Sequence, residues 1–136
     1  MDKQLKCAYF CMEYAISNSL KTYAGGLGIL AGDYLKGAVR GKLPITGIGI
    51  KWKQGYGEQF IGNDGRPYDA YRPNDYTGKL EDTGETVEVE IRRRKVKIKI
   101  WRYNADGVDN LYLLDTDIDG NDGDDRWICG QLYGWF

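Results

Sequence analysis

The sequence predicts an α/β fold: part of a doubly wound parallel sheet, extended by an antiparallel β-hairpin. Three observations carry this. Two short stretches, 5–12 and 44–52, are apolar with little alternation, the pattern of strands buried on both faces. Between them, 26–40 opens on glycines and then follows the helical period. Beyond residue 85 the pattern changes to period two, as in a sheet wet on one face.

The elements follow in order. LKCAYFCM, 5–12, forms the first strand, and the polar stretch 16–22 holds a short helical turn. In the helix 26–40, Leu27, Leu30, Tyr34, Leu35 and Ala38 recur at helical spacing and face inward, with Lys36 and Arg40 toward water. Gly41 ends it, close to where a C-terminal cap belongs. PITGIGIKW, 44–52, is the second strand, broken by Gly55 and Gly57. A strand resumes at 58–61, and the NDG at 63–65 signals a tight turn. The segment 66–84 is a long polar connection without periodicity. In 86–92, Val87, Val89 and Ile91 alternate with Glu88, Glu90 and Arg92. Val96, Ile98 and Ile100 alternate likewise with Lys95, Lys97 and Lys99, so the two runs make a hairpin whose acidic and basic rows face each other. NLYLLDT, 110–116, is a further strand, and 125–133 a short terminal helix with Trp127 and Leu132 inward. No repeat or domain boundary divides 1–136.

Composition narrows the chemistry. Nineteen Lys and Arg balance 20 Asp and Glu, which argues against nucleic acid or a membrane surface as a partner held by bulk charge. The acidic strand opposite RRRKVKIK cancels that run's field. There is no histidine, so the chain contains neither the usual metal ligand nor a Ser-His-Asp or Cys-His triad. Cys7, Cys11 and Cys129 make an odd count without Cys-x-x-Cys spacing, which fits reduced thiols in a cytoplasm. MDKQLKCAYF lacks a signal-peptide pattern, and no apolar run approaches the ~18 residues of a membrane span.

Two motifs invite a chemical reading. DTDIDGNDGDDR places Asp115, Asp117, Asp119 and Gly120 at positions one, three, five and six of an EF-hand loop. Position twelve is Arg126 where a bidentate Glu belongs, and the left flank is a strand, so the expectation is an acidic loop capping turns and no metal. The second is TYAGGLGILAGDYLKGA, 22–38. Gly26, Gly28 and Ala31 satisfy G-x-G-x-x-A, but the preceding strand ends too early for a dinucleotide fingerprint. The second strand ends among Lys51 and Lys53, not at an acid for a ribose. Small residues at a helix start let backbone N–H groups face an anion, and they equally permit close helix–strand packing.

Four segments together carry a resemblance: AYFCMEYAISNSLKTYAGGLGILAGDYLKGA, LPITGIGIKWKQGYGEQFI, NLYLLDTDI and DRWICGQLYG. They resemble the opening segment of the α-glucan phosphorylases, the glycogen/starch/maltodextrin phosphorylase family, and most of all its shorter bacterial and archaeal type. The likeness is weakest over 75–108. Glycogen synthases share a GGLG loop and a related fold without the neighbouring blocks. The resemblance implies a partial Rossmann-like domain of the glycosyltransferase B type, cytoplasmic, belonging to an enzyme that releases glucose 1-phosphate from α-1,4-glucan and phosphate with pyridoxal phosphate as cofactor. It implies that Gly25, Gly26, Leu27 and Gly28 form the glycine loop, with the Gly26 N–H toward the substrate phosphate and Leu27 against the glucosyl unit. It places Glu13 at the end of the first strand beside the cleft, and Tyr56 near it. The cofactor lysine belongs to the family's C-terminal domain, so no catalytic residue falls within 1–136 and none of the cofactor is expected on this piece, which is expected to be inactive alone. LYGWF departs from an LYGG-type continuation, and Cys11 and Ala24 stand where the family often has Ser. A partial sheet leaves open edges, so self-association is expected. The other readings are a stand-alone glucan-binding or regulatory module, or a fragment of a glycogen-synthase-like glycosyltransferase.

Overall fold

The structure, a computed structural model, describes residues 5–134; Trp135 and Phe136 of the LYGWF ending lie outside the described residues, as do residues 1–4. The strands are β1 (Cys7–Phe10), β2 (Ile45–Ile50), β3 (Glu58–Ile61), β4 (Pro67–Ala70), β5 (Leu80–Ile91), β6 (Arg94–Ala105) and β7 (Val108–Asp115). Helix α1 spans Gly26–Arg40, and α2 is one turn, Gly123–Arg126, continued by a 3₁₀ turn over Trp127–Cys129. Five strands form one mixed sheet in the order β1-β2-β7-β6-β5, and β3 and β4 form a separate ribbon.

The parallel half is β1-β2-β7. Cys7 pairs with Ile45 and Phe10 with Ile48; Gly47 pairs with Leu111 and Ile50 with Leu114. Helix α1 connects β1 to β2 and lies on one face of the sheet. There Tyr14, Ile16, Leu20, Ala31, Leu35, Tyr103, Val108, Leu111 and Leu113 make the core. Gly47 lets the helix come down: a Cβ there would lie 2.6 Å from Leu35 Cδ1.

The first strand is not buried on both faces as its composition suggests. It is an edge strand with β2 as its one neighbour, and Phe10 is 70% exposed. The side chains of Ile48, Ile50 and Leu114 meet Phe10 and Met12 on the sheet face away from α1, which no helix among the described residues covers.

The inward stripe of α1 also differs from the large-residue pattern. Gly28, Ala31, Gly32, Leu35 and Ala38 are buried, whereas Leu27, Leu30 and Tyr34 are half exposed or more. Close approach selects small residues: a Cβ on Gly32 would lie 2.2 Å from the carbonyl oxygen of Ala15. Gly41 stops the helix with its N–H bonded to the Gly37 carbonyl, while the left-handed conformation falls on Lys42.

The segment 66–84 contains more than a connection. The turn at Gly65, with φ +76, folds β4 back on β3, and β5 starts at Leu80. A register shift between Asp82 and Thr86, with Gly84 at φ +72, interrupts the alternation there and hides the strand's first half from a period-two reading. β5 and β6 turn through Arg92 and Arg93, both with positive φ, as a two-residue hairpin connection demands. Glu88 faces Lys97 and Glu90 faces Lys95 across the pair. Arg94 binds Asp125 at 2.6 Å, Lys99 binds Asp82 at 2.7 Å and Arg102 binds Glu81 at 3.1 Å, so the basic row is met by acids. At the C-terminal end Leu132 is buried as expected, but Trp127 is 54% exposed, with Lys53 Nζ 5.5 Å from its ring.

The glycines of α1 separate packing from propensity. Gly32→Ala places a methyl against backbone and lowers the unfolding free energy by about 1–3 kcal/mol in urea denaturation. Gly37 has nothing within 4 Å of its would-be Cβ. Gly37→Ala raises the unfolding free energy by about 0.5–1 kcal/mol, the usual gain for a helix interior.

Candidate functional site

After β1 the chain runs antiparallel to the approach of α1. Tyr14 N–H donates to the Thr22 carbonyl at 3.0 Å, Ala15 N–H to the Gly28 carbonyl at 2.9 Å, and the Thr22 hydroxyl to the Tyr14 carbonyl at 2.7 Å. This pairing fixes the glycine loop against the segment that carries Glu13.

Glu13 is the centre of the arrangement. It is 2% exposed. Its Oε2 accepts from the N–H of Ala24 at 3.0 Å and of Gly25 at 3.3 Å, and its Oε1 accepts from the Tyr133 hydroxyl. Burial by itself would raise its pKa. The hydrogen bonds from Ala24, Tyr133, Gly25 and Gly28 outweigh burial and hold the carboxyl below the usual value of 4.5. The same bond, with some burial, pushes the Tyr133 phenol up. Glu13 is thus a buried brace for the loop, with both oxygens engaged by protein.

The four glycine-loop residues divide by role. Gly28 is the close-approach position, since a Cβ there would sit 2.4 Å from Tyr23 Cβ and 3.0 Å from Glu13 Oε2. Gly25 is the N-cap, in extended conformation and without a side-chain cap, and its own N–H belongs to Glu13. Gly26 and Leu27 begin the helix, and their N–H groups have no partner among the described residues. Both are exposed, and nothing lies within 4 Å of a Cβ built on Gly26. No acid stands in the first turn of α1. Two backbone donors at the positive end of a fifteen-residue helix therefore face open space.

Tyr56 lies near this loop through Tyr133. The two rings meet edge to face with centroids 6.4 Å apart. Together with Gly57, Gln59, Asp69, Tyr71 and Gly134 they line a cleft of about 490 Å³. Tyr71 and Tyr133 gave no signal in sequence, because the cleft forms only when the β3–β4 ribbon and residues 131–134 come together.

The EF-hand-like residues go elsewhere. Asp115 is buried, its Oδ2 accepting from Lys51 Nζ at 3.0 Å and from Trp101 Nε1 at 3.1 Å. Asp117 binds Lys53 at 2.6 Å and Arg126 at 2.7 Å, and these cations hold its carboxyl below the usual range. Asp122 caps α2 through the Asp125 N–H. Asp115 and Asp117 are held by cations, Asp122 is spent on a cap and Asp119 is fully exposed, and among the described residues no group of three metal-ligating side chains forms.

The brace has a pH signature. Because Glu13's folded pKa lies below its unfolded value, its stabilisation is fully present above pH 4.5 and is lost as pH falls through the lowered value. Glu13→Gln lowers stability at pH 7 by about 1.5–3 kcal/mol, the worth of charge-assisted hydrogen bonds. The gap to the parent chain narrows as pH falls below 4.5. Paired thermal melts at pH 7 and at a pH below 4.5 check this; a gap that is constant with pH contradicts an ionised brace.

No family model matches the chain. Individual relatives do. The maltodextrin phosphorylase of Thermococcus litoralis is 43% identical over 132 residues, covering 92% of this chain and 16% of that protein. The glycogen phosphorylase of Mycobacterium tuberculosis is 35% identical over 135 residues, covering 93% and 16%. That of Aquifex aeolicus is 37% identical over 128 residues, covering 89% and 18%. The chain thus spans less than a quarter of the length of these curated relatives. Among solved structures, the catalytic domain of starch synthase IV from Arabidopsis thaliana, bound to ADP and acarbose, matches with a TM-score of 0.55. It is 18% identical over 83% of this chain and 18% of that one, a likeness of fold alone. Over nearly all of its own length, this chain is a homologue of a short segment of the maltodextrin and glycogen phosphorylases.

Proposed function

We propose that the chain is the N-terminal segment of an α-1,4-glucan phosphorylase, a glycosyltransferase that releases glucose 1-phosphate from glucan and inorganic phosphate. The identity to phosphorylases over more than nine-tenths of the chain carries this reading. The geometry of the glycine loop supports it. Phosphorolysis needs an oxyanion held beside an anomeric carbon as positive charge develops there. The N–H groups of Gly26 and Leu27 offer fixed dipoles that need no reorganisation when charge appears. In this reading the Gly26 N–H faces the phosphate and the half-exposed Leu27 side chain lies against the glucosyl unit. Glu13 positions the loop through Ala24 and Gly25, and Gly28 allows that approach.

Pyridoxal phosphate belongs to the complete enzyme in this reading. Among the described residues no lysine lines the cleft, and Lys51 and Lys53 are held by Asp115 and Asp117, so these residues do not fit as its anchor. The finer fold reading is a partial Rossmann-like domain of the glycosyltransferase B type with β5 and β6 as a hairpin extension. The parallel β1-β2-β7 half with α1 as crossover supports it. No described helix is long and apolar enough to cross a membrane, and Cys7, Cys11 and Cys129 are all free thiols, which favours a cytoplasmic setting.

A second reading, a stand-alone glucan-binding module, is favoured by the aromatic cleft, which this chain lines by itself. One experiment separates the two. An antibody to this chain should precipitate from source cells a product several times heavier than 15.5 kDa. That product should release glucose 1-phosphate from maltoheptaose only when phosphate is present. A 15.5 kDa product without phosphorolysis overturns the enzyme reading.

The uncovered sheet face, with Phe10, Ile48, Ile50 and Leu114, and the open edge of β1 support self-association of the isolated chain. Light scattering at micromolar concentration should give at least a dimer; a monomer rules this out.

A further inference from the structure

We propose that Tyr133 is a positioning residue for the phosphate-facing amides of the glycine loop, and that its hydroxyl acts on them through Glu13; this rests on the reading that Gly26 and Leu27 meet phosphate. Tyr133 sits in a costly backbone. Its φ is +56, in the left-handed region that a residue with a Cβ enters only against steric resistance. The other non-glycine residues with this backbone, Lys42, Arg92, Arg93 and Asp106, are charged and stand in exposed turns. Tyr133 is the aromatic one. The turn is already fixed one residue earlier: Leu132 is fully buried, and its N–H donates to the Gln54 carbonyl at 3.1 Å. The left-handed step that follows brings the phenol to Glu13. Conformations of this cost persist where the surroundings fix them, and they gather at functional sites.

The hydroxyl has a defined task there. The two oxygens of Glu13 have separate duties. Oε2 holds the loop, through the N–H groups of Ala24 and Gly25, and Oε1 accepts from the Tyr133 hydroxyl. A carboxylate is planar, so a donor that fixes Oε1 also fixes the direction of Oε2. At 2% exposure, bulk water does not replace that donor. Without the hydroxyl, a buried oxygen is left uncompensated, and the carboxyl rotates toward other donors or takes a proton. Either change loosens the grip on Ala24 and Gly25.

Gly25 carries the effect onward. Its N–H belongs to Glu13, and its carbonyl accepts the first bonds of α1, from the N–H of Gly28 at 3.1 Å and of Ile29 at 3.3 Å. The next two N–H groups, those of Gly26 and Leu27, have no partner among the described residues, so their aim is set where the loop enters the helix. A dipole favours an anion most when its direction is fixed beforehand. Tyr133 does not meet the anion itself, since its hydroxyl is committed to Glu13 and its ring lies edge to face against Tyr56.

The test is phosphate binding by the whole 136-residue chain at pH 7, followed through the backbone amide resonances of isotope-labelled protein. The Glu13 carboxyl is titrated separately by its carbon resonance. In the parent chain, inorganic phosphate should shift Gly26 and Leu27 saturably. Tyr133→Phe keeps the ring and removes the donor. It should weaken phosphate about fivefold, the scale of one hydrogen bond's net contribution. The Ala24 and Gly25 amides should then exchange with solvent faster. The Glu13 carboxyl should titrate at higher pH than in the parent, because one of the bonds holding it below 4.5 is gone. Ring-fluorinated Tyr133, a more acidic phenol on nearly the same ring, should bind phosphate at least as tightly as the parent, and this arm stands even if the Phe variant does not fold. Circular dichroism confirms the fold of each. A Tyr133→Phe chain that melts lower but binds phosphate as the parent does overturns the proposal, because the tyrosine is then structural only. Weakened binding with the Glu13 titration unmoved also overturns it, since the effect does not pass through Glu13. So does weaker binding by the fluorinated chain. Phosphate that shifts neither Gly26 nor Leu27 in the parent chain overturns the loop's anion role and this proposal with it, and leaves the phosphorylase reading to the precipitation assay.

Discussion

The geometry of this molecule hangs on one buried carboxylate. Glu13 is buried three residues beyond the end of β1, and it cannot stay at that depth without donors. It takes them from the backbone at Ala24 and Gly25 and from the hydroxyl of Tyr133. An ionised group at this depth is tolerated only when its lone pairs are filled. Every segment that fills them is thereby given a place: the strand end, the glycine loop and the C-terminal turn. The helix follows, because Gly28 must stay a glycine to sit beside Glu13 Oε2. The loop's remaining donors, those of Gly26 and Leu27, are left outward by subtraction.

The charge pairs elsewhere in the fold are of another kind. Lys51 meets Asp115 at the end of β7, with Trp101 sharing the carboxylate, and Lys53 and Arg126 share Asp117. They close the loop after β7 onto the end of β2, which brings residues 131–134 to the mouth of the cleft. Gln54 is bridged to both Pro73 and Gln131, so the ribbon and the C-terminal turn are anchored at one point on the strand-end loop. The cleft walls are therefore set by backbone pairing and not by the tyrosines that line them.

How much of this could be read from the residues depends on the range of the cause. The bounds of α1 were legible because Gly25, Gly26 and Gly41 are local punctuation, and the bounds agree with the structure to the residue. The inward face of the same helix was not, because hydropathy weighs Leu27, Leu30 and Tyr34 while packing against Tyr23 and Glu13 demands Gly28 and packing against Ala15 demands Gly32. The first half of β5 was hidden by a bulge, and the ribbon strand β4 by its brevity. The exposure of β1 follows from its place at the sheet edge, which no local pattern carries. In the candidate site, the glycine loop was visible as a motif. The bond from Tyr133 to Glu13 was not, since nothing in either neighbourhood points across the whole chain.

That bond also sets a clock. Its partners are 120 residues apart, so during synthesis Glu13 emerges long before Tyr133 exists. At ~5–20 residues per second the carboxylate waits roughly 6–24 s for its last donor. β2 waits as well, because its inner neighbour β7 is made after the whole of β3 to β6. The nascent chain thus carries its helix and two strands through the synthesis of residues 51–107 without the sheet centre, and as far as Tyr133 without the brace. Within these residues, the part that is written first is the part that is finished last.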